Sequence, residues 1–438
     1  MKVLKFGGTS VGSASRMKDV CKLITEDGEA KVVVLSAMSG TTNTLVEISD
    51  YLYKKNPEGA NNIINKLEQK YIEHVHELYA TEEYRNKTLA FLKEEFNHLR
   101  SFTKGLFTMF EEKAVLAEGE IISTNMVTNY LQECGVKAIL LSAFDYMRTD
   151  KNGEPDMKYI TEHINQILEE NPGYQIYITQ GFICRNAYGE IDNLQRGGSD
   201  YTACLIGAGI QSEEIQIWTD IDGMHNNDPR VVKNTSPVRQ LHFEEAAELA
   251  YFGAKILHPT CIQPAKFAGV PVRLLNTMDP SAPGTTINNT IQKGTIKAVA
   301  AKENIVSIQI QSSRMLLAYG FLRKVFEIFE SYKTSIDMVC TSEVGVTVTI
   351  DNKSYLKDII ADLMKYGTVE VREDMCIICV VGDLTAENVG FTSLTADALK
   401  NIPVAMVSYG GSNHNISFLV KGEDKQRALQ ALSDKLFN

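Results

Sequence analysis

The stretch Val3-Leu4-Lys5-Phe6-Gly7-Gly8-Thr9-Ser10-Val11 decides the fold. Apolar residues around one lysine read as a short strand over 3–6. Two glycines turn the chain, and the apolar spacing over 11–24 predicts a helix. A second apolar run stands at 31–35, followed by a Ser/Gly/Thr loop at 36–43 and an apolar helix from about residue 45. This β-α-β-α alternation predicts an α/β domain, a three-layer sandwich with a mainly parallel sheet.

Working outward, residues 57–117 are rich in Glu, Lys, Asn and Leu and poor in Gly and Pro. Ile63, Leu67, Tyr71, Val75 and Leu78 recur at helical spacing, so two or three amphipathic helices are expected here. The alternation then resumes. Strands are expected at 137–141, 175–179, 214–219 and 270–275, and helices at 118–134, 199–207 and 243–252. Pro280, Pro283, Gly284 and Gly294 mark an exit from this domain. Beyond about residue 300 a strand–helix–strand–strand–helix order occurs twice. Ile336-Asp337-Met338-Val339 in the first copy answers Val404-Ala405-Met406-Val407 in the second. Two tandem α+β units follow. The expected domains are therefore 1–297, with the helical segment 57–117 inside it, then 298–374 and 375–438, with strand exchange between the last two left open.

A formal net charge of −11 argues against a nucleic-acid partner, which needs a basic face. No apolar run reaches the length of a membrane span, and the first residues lack a signal-peptide pattern, so a cytoplasmic protein is expected. The eight cysteines are scattered, which suits reduced thiols. Cys376 and Cys379 lie in an apolar strand without a second pair or a histidine cluster. They read as core thiols, and no metal site is expected.

Four motifs stand out. Lys5-Phe6-Gly7-Gly8-Thr9-Ser10 reads either as a tight strand–helix turn or as a phosphate cradle. Backbone N–H groups would approach the anion there, with Lys5 as a point charge. Arg196-Gly197-Gly198-Ser199-Asp200-Tyr201-Thr202-Ala203 again leads two glycines into a helix. Its arginine suits a carboxylate, and its aspartate could orient a lysine. Trp218-Thr219-Asp220, with His225 and Asp228-Pro229-Arg230 after it, follows a strand where ligands bind in open α/β sheets. Phe252-Gly253-Ala254-Lys255-Ile256-Leu257-His258-Pro259 offers a lysine that could reach a phosphate or stand in solvent.

In this order the four motifs resemble aspartate kinases of the amino-acid kinase family, the monofunctional kind with two C-terminal ferredoxin-like ACT domains. The resemblance covers nearly the whole chain. It implies the amino-acid kinase fold and transfer of the γ-phosphoryl group of ATP, with Mg²⁺, to the β-carboxylate of L-aspartate. The product would be 4-phospho-L-aspartate, the first step of lysine, threonine and methionine biosynthesis. It further implies that Lys5 contacts the transferring phosphoryl group and that Asp200 positions Lys5. Gly7 and Gly8 would line the phosphates. Arg196 would hold the substrate α-carboxylate and Glu120 its α-ammonium. Ser36, Thr42 and Ser199 would lie near the reacting carboxylate. Thr219, Asp220, His225, Arg230 and Lys255 would bind the nucleotide, although lysine-sensitive relatives carry Tyr at the place of His225. In the tandem units Met315, Phe321, Leu322, Asp337, Ser342 and Glu343 match effector positions. Each alone reads equally as packing or turn chemistry. Asp337 and Glu343 suit a cationic amine, so lysine is the expected effector, ahead of threonine. A homodimer or dimer of dimers paired through the ACT domains is implied.

Two other readings compete. One is a kinase of the same superfamily with another acceptor, which would not carry the Arg-Gly-Gly-Ser-Asp context together with tandem ACT-like units. The other is a non-catalytic amino-acid sensor, against which Lys5, Asp200 and Lys255 all stand intact.

Overall fold

Strand β1 (Lys2–Phe6) lies between two parallel partners, and its apolar residues are buried on both faces. Such continuous apolar strands are what a sheet covered by helices on both sides requires. The computed structural model describes residues 1–194, 197–253, 257–312, 319–385 and 387–437. The chain divides into two compact units, Met1–Met224 with Ile256–Asn289, and His225–Lys255 with Thr290–Asn438.

In the first unit β1 is followed by α1 (Ala14–Thr25), β2 (Lys31–Leu35), α2 (Thr41–Tyr53), α3 (Pro57–Leu78), α4 (Glu82–Ser101) and α5 (Met109–Glu133). Then come β3 (Ala138–Leu141), α6 (Ala143–Tyr146), α7 (Met157–Glu170), β4 (Ile176–Gln180), the short hairpin β5 (Ile183–Arg185) and β6 (Ile191–Asn193), α8 (Gly198–Gly209) and β7 (Ile215–Thr219). The parallel strands lie in the order β3-β4-β2-β1-β7. The chain leaves β1 toward β2 on one side and returns to β7 on the other. That reversal opens a crevice at the C-terminal ends of the strands. Met17, Ile48, Tyr71, Phe96 and Val127 join α1 to α5 into one apolar cluster under the sheet. Thr108 and Glu111 form a capping box that starts α5 nine residues before the expected position 118.

The second unit takes in β8 (Gln240–His242) and α9 (Phe243–Tyr251). The first unit is then completed by α10 (Gln263–Ala268), β9 (Val272–Asn276) parallel to β7, and β10 (Thr285–Asn288) antiparallel to β9. The rest of the second unit is β11 (Ile296–Gln311), α11 (Phe321–Ser331), β12 (Val339–Thr341), β13 (Gly345–Ile350), α12 (Leu356–Leu363), β14 (Thr368–Gly382), α13 (Phe391–Ala398), β15 (Met406–Tyr409), β16 (Asn415–Lys421) and α14 (Lys425–Leu436). These strands make one sheet in the order β12-β13-β11-β14-β16-β15.

The strands β11 and β14 are long and pair antiparallel along both halves of that sheet, across register shifts between Lys302 and Ser307. One end of β11 pairs with β13 and one end of β14 with β16. Each half has its own core: Val306, Val325, Phe329 and Leu363 in the first, and Cys376, Ile378, Phe418 and Leu429 in the second. The segment His225–Lys255 packs with this unit because Val232 enters the second core and α9 lies against β14. Cys376 and Cys379 are fully buried in β14, and burial pushes the Cys376 thiol up to about 12.

Candidate active site and effector region

The loops at the C-terminal ends of β1 and β2 are laced together. The Ser36 N–H donates to the Phe6 carbonyl at 3.2 Å, and the Ser39 N–H donates to the Gly8 carbonyl at 3.2 Å. Lys5, at the end of β1, is buried, and its Nζ lies 2.7 Å from Asp200 Oδ1. Asp200 sits in the first turn of α8. Gly197 caps that helix at φ +79°, a conformation that disfavours a side chain. The two Gly-Gly motifs therefore meet at one point. The N–H groups of the first turn of α8, the Gly7-Gly8 turn and one buried ammonium converge there, which is an anion-binding arrangement.

Glu120 lies in the middle of α5. Gly119 lets the helix come close: a Cβ there would stand 2.7 Å from the Ala37 Cβ. The approach brings Glu120 Oε1 within 3.1 Å of the Ala37 N–H, which donates to it. Its Oε2 is buried without a hydrogen-bond partner among the described residues. Burial raises the carboxyl to about 8, against the opposing pull of the Ala37 N–H. An unmatched buried carboxylate oxygen is costly unless a cation meets it. Around it, Ser123 Oγ donates to the Ser36 carbonyl at 2.8 Å, and Gln180 Nε2 donates to Thr124 Oγ1 at 3.0 Å. Ser36 is half-buried, and Thr42 is exposed in the first turn of α2. Ser199 packs so closely on Gly181, at the end of β4, that a Cβ there would meet its Oγ at 2.5 Å.

At the end of β7, the Thr219 carbonyl accepts from the Thr277 N–H at 2.8 Å, and Asp220 is exposed. Thr277 Oγ1 is 2.9 Å from Ser10 Oγ, tying this edge to the turn after β1. His258, from the fourth motif, and Cys261, just beyond it, pack against Gly197. In the second unit Arg230 grips Asp228 with two nitrogens at 2.9 and 2.8 Å, and this holds the Asp228 carboxyl below the usual range. His225 Nδ1 lies 3.1 Å from Thr235 Oγ1. Arg196, Lys255 and Met315 lie outside the described residues.

Of the effector positions, Phe321 is buried in the first core beside Val325, and Leu322 is exposed. Ser342 and Glu343 are exposed in the turn between β12 and β13, where the Ser342 N–H donates to the Gly345 carbonyl at 2.8 Å. Asp337 has a buried side chain that pairs with Lys302 at 2.7 Å.

One further cluster joins α4 and α5. His98 Nδ1 lies 2.8 Å from Glu118 Oε1, and Glu95 completes a group of ligand-capable atoms within 4.8 Å of one another. Burial, then the neighbouring Glu118, raises the Glu95 carboxyl to about 7. The Glu95-x-x-His98 spacing in the sequence is the signal that would have located the cluster.

Residues 1–276 match the amino acid kinase family, and residues 378–436 match the ACT domain. The chain is 35% identical to Aspartokinase 1, chloroplastic, of Arabidopsis thaliana, covering 99% of this chain and 80% of that protein. It is 32% identical to Lysine-sensitive aspartokinase 3 of Escherichia coli, covering 99% of both. Among solved structures, E. coli aspartokinase III in complex with aspartate and ADP (R-state) matches with a TM-score of 0.85 at 31% identity, over 100% of both chains. The same enzyme in complex with lysine and aspartate (T-state) matches with a TM-score of 0.80 at 32% identity. The fold and the matched residues make the chain a member of the amino acid kinase family. Within that family it belongs to the aspartokinases.

Proposed function

We propose that this chain catalyses transfer of the γ-phosphoryl group of MgATP to the β-carboxylate of L-aspartate, giving 4-phospho-L-aspartate and ADP. The observation that carries the reading is the buried Lys5–Asp200 pair at the two glycine turns, in the same unit as a Glu120 oxygen that lacks a hydrogen-bond partner among the described residues. A carboxylate is already a nucleophile, so the difficulty is to bring two anions together and to spread the charge of the transferred group. An oxygen of the β-carboxylate attacks the γ-phosphorus, the bond from that phosphorus to the bridging β,γ-oxygen breaks, and ADP leaves. Lys5 neutralises the transferring group, and Asp200 holds the ammonium in place. The Gly7-Gly8 N–H groups stabilise phosphate oxygens. Magnesium arrives bound to the nucleotide as part of the substrate.

Glu120 receives the α-ammonium of aspartate, and Arg196 grips its α-carboxylate. Ser36, Thr42 and Ser199 orient the reacting end. Thr219, Asp220, His225, Arg230 and Lys255 contact the nucleotide. The segment 1–297 is the catalytic portion, and 298–374 and 375–438 are two ACT domains that pair between subunits of a homodimer or dimer of dimers. Lysine binds the first of these, with Asp337 and Glu343 toward its cationic end, and lowers activity; threonine is the alternative effector. No described helix is long and apolar enough to cross a membrane, and a cytoplasmic enzyme is the reading adopted.

The test is ADP release from MgATP with aspartate, glutamate or no acceptor, repeated with lysine or threonine present. Turnover that depends on aspartate and falls with one effector supports both halves. Equal turnover with glutamate, or none with aspartate, overturns the substrate assignment.

A further inference from the structure

The carboxylate expected to receive an effector amine already holds one from its own chain. Lys302 Nζ lies 2.7 Å from Asp337 Oδ1 and 2.9 Å from Asp351 Oδ2. It also stands over the Tyr251 ring, 4.2 Å from the centroid. The Tyr251 hydroxyl donates to the same Asp337 Oδ1 at 2.6 Å. The second oxygen, Oδ2, is buried and has no hydrogen-bond partner among the described residues. The Asp337 side chain is 1% exposed and Lys302 17%, so the pair is largely shielded from water, where charge pairing is strong.

The placement gives the cluster reach. Lys302 lies at the register shift where β11 passes from one half of the sheet to the other, just before Asn304 at φ +60°. Tyr251 is the last residue of α9. The start of that helix is held by the other half: Glu244 reaches His414 at 3.3 Å, and Glu248 accepts from Asn415 Nδ2 at 2.5 Å. The helix is thus fastened to both halves, and Tyr251 is its attachment to Asp337. Four residues later in the sequence stands Lys255.

We propose that Lys302 is a built-in stand-in for the effector's ammonium, and that Tyr251 reports its displacement to α9. This rests on the reading of Asp337 as an effector carboxylate. An incoming lysine presents its amine to Asp337, takes over the oxygens, and sends Lys302 to Asp351 alone. Two donors then compete with the effector for one carboxylate, so the resident pair sets the concentration at which lysine acts. Loss of the Tyr251 hydrogen bond frees one end of α9, which links effector occupancy to the chain leading into Lys255.

The experiment measures lysine binding to the full chain by titration calorimetry, alongside lysine inhibition of aspartate-dependent turnover. Lys302→Met removes the competitor and is expected to tighten lysine binding at least about fivefold, the lower end of ordinary coupling between sites. In Lys302→Met/Asp337→Asn that gain is lost. Tyr251→Phe is expected to keep uninhibited turnover and still bind lysine, with a smaller maximal inhibition. If Lys302→Met fails to fold, Lys302→Gln carries the same expectation. Equal lysine affinity in wild type and the Lys302 variant overturns the stand-in role alone, as does tight binding by the double variant. Full inhibition of Tyr251→Phe overturns the coupling. Absence of lysine binding in both wild type and Lys302→Met overturns the effector reading itself.

Discussion

The Lys5 ammonium stands 2.7 Å from the Asp200 carboxylate, joining the end of β1 to the first turn of α8. Neither glycine turn would place a charge at the phosphates unaided. In the proposed role Lys5 supplies it and Asp200 fixes where it sits. Lys5→Met is expected to lower kcat by about 100-fold or more, as for the loss of a strong donor to a developing anion. Asp200→Asn leaves the lysine in place but loosely held, and a smaller fall is expected. Steady-state kinetics checks both, with circular dichroism to show that the fold is kept.

Glu120 gives a pH dependence with a definite sign. Its carboxyl is raised to about 8 by burial, so below that pH the empty site is mainly protonated. An α-ammonium prefers the ionised form. The KM for aspartate is therefore expected to fall as pH rises from about 6.5 to about 8.5. Glu120→Gln should raise KM and flatten this profile. A profile of unchanged shape in that variant would show that another group titrates.

Gly119 tests the packing that positions Glu120. Alanine would favour the helix by about 1 kcal/mol on propensity. The added methyl would, however, sit 2.7 Å from the Ala37 Cβ and 3.3 Å from Thr41 Cγ2. Overpacking of this kind costs about 1–3 kcal/mol, so the clash is expected to win. Gly119→Ala should lower the thermal midpoint and raise the KM for aspartate more than it lowers kcat, since the Ala37 N–H is pushed from Glu120.

The α4–α5 cluster adds a stability effect. The Glu95 carboxyl is raised to about 7, and hydrogen bonding to Glu118 raises His98. Both groups bind protons more tightly in the folded chain than in the unfolded one. Their contribution is full below the unfolded values and is lost as pH rises through the folded ones. Thermal melts should thus show a lower midpoint at about pH 8 than at about pH 5, with a smaller difference in Glu95→Gln. An equal difference in both proteins would remove Glu95 from the effect.

What could be read from the sequence follows the range of the interaction. Lys5, Gly7, Gly8 and Asp200 belong to local strand–turn–helix signals, and local signals survive in a linear string. Glu120 does not: it is one acidic residue inside a helix, and its meaning depends on how closely Gly119 approaches Ala37. The hairpin Ile183–Arg185 with Ile191–Asn193 leaves no pattern in the sequence because three-residue strands carry almost no periodicity. In β11 and β14 only the apolar parts, 305–310 and 376–381, carry a strand pattern in the sequence. The ladder holds up to Lys302 and resumes at Ile305, so both strands run on across the register shifts that contain Glu303 and Glu373, polar residues whose composition says loop. Tertiary pairing overrides propensity there. The Thr108-x-x-Glu111 box was in plain view and dates the start of α5 correctly.

Because β11 and β14 each run through both halves of the C-terminal sheet, neither half owns a complete set of strands. Cutting the gene between them would leave each fragment with an unpaired strand edge, a surface prone to aggregation. The two halves are therefore expected to melt together, since neither can unfold without stripping the other of a strand partner.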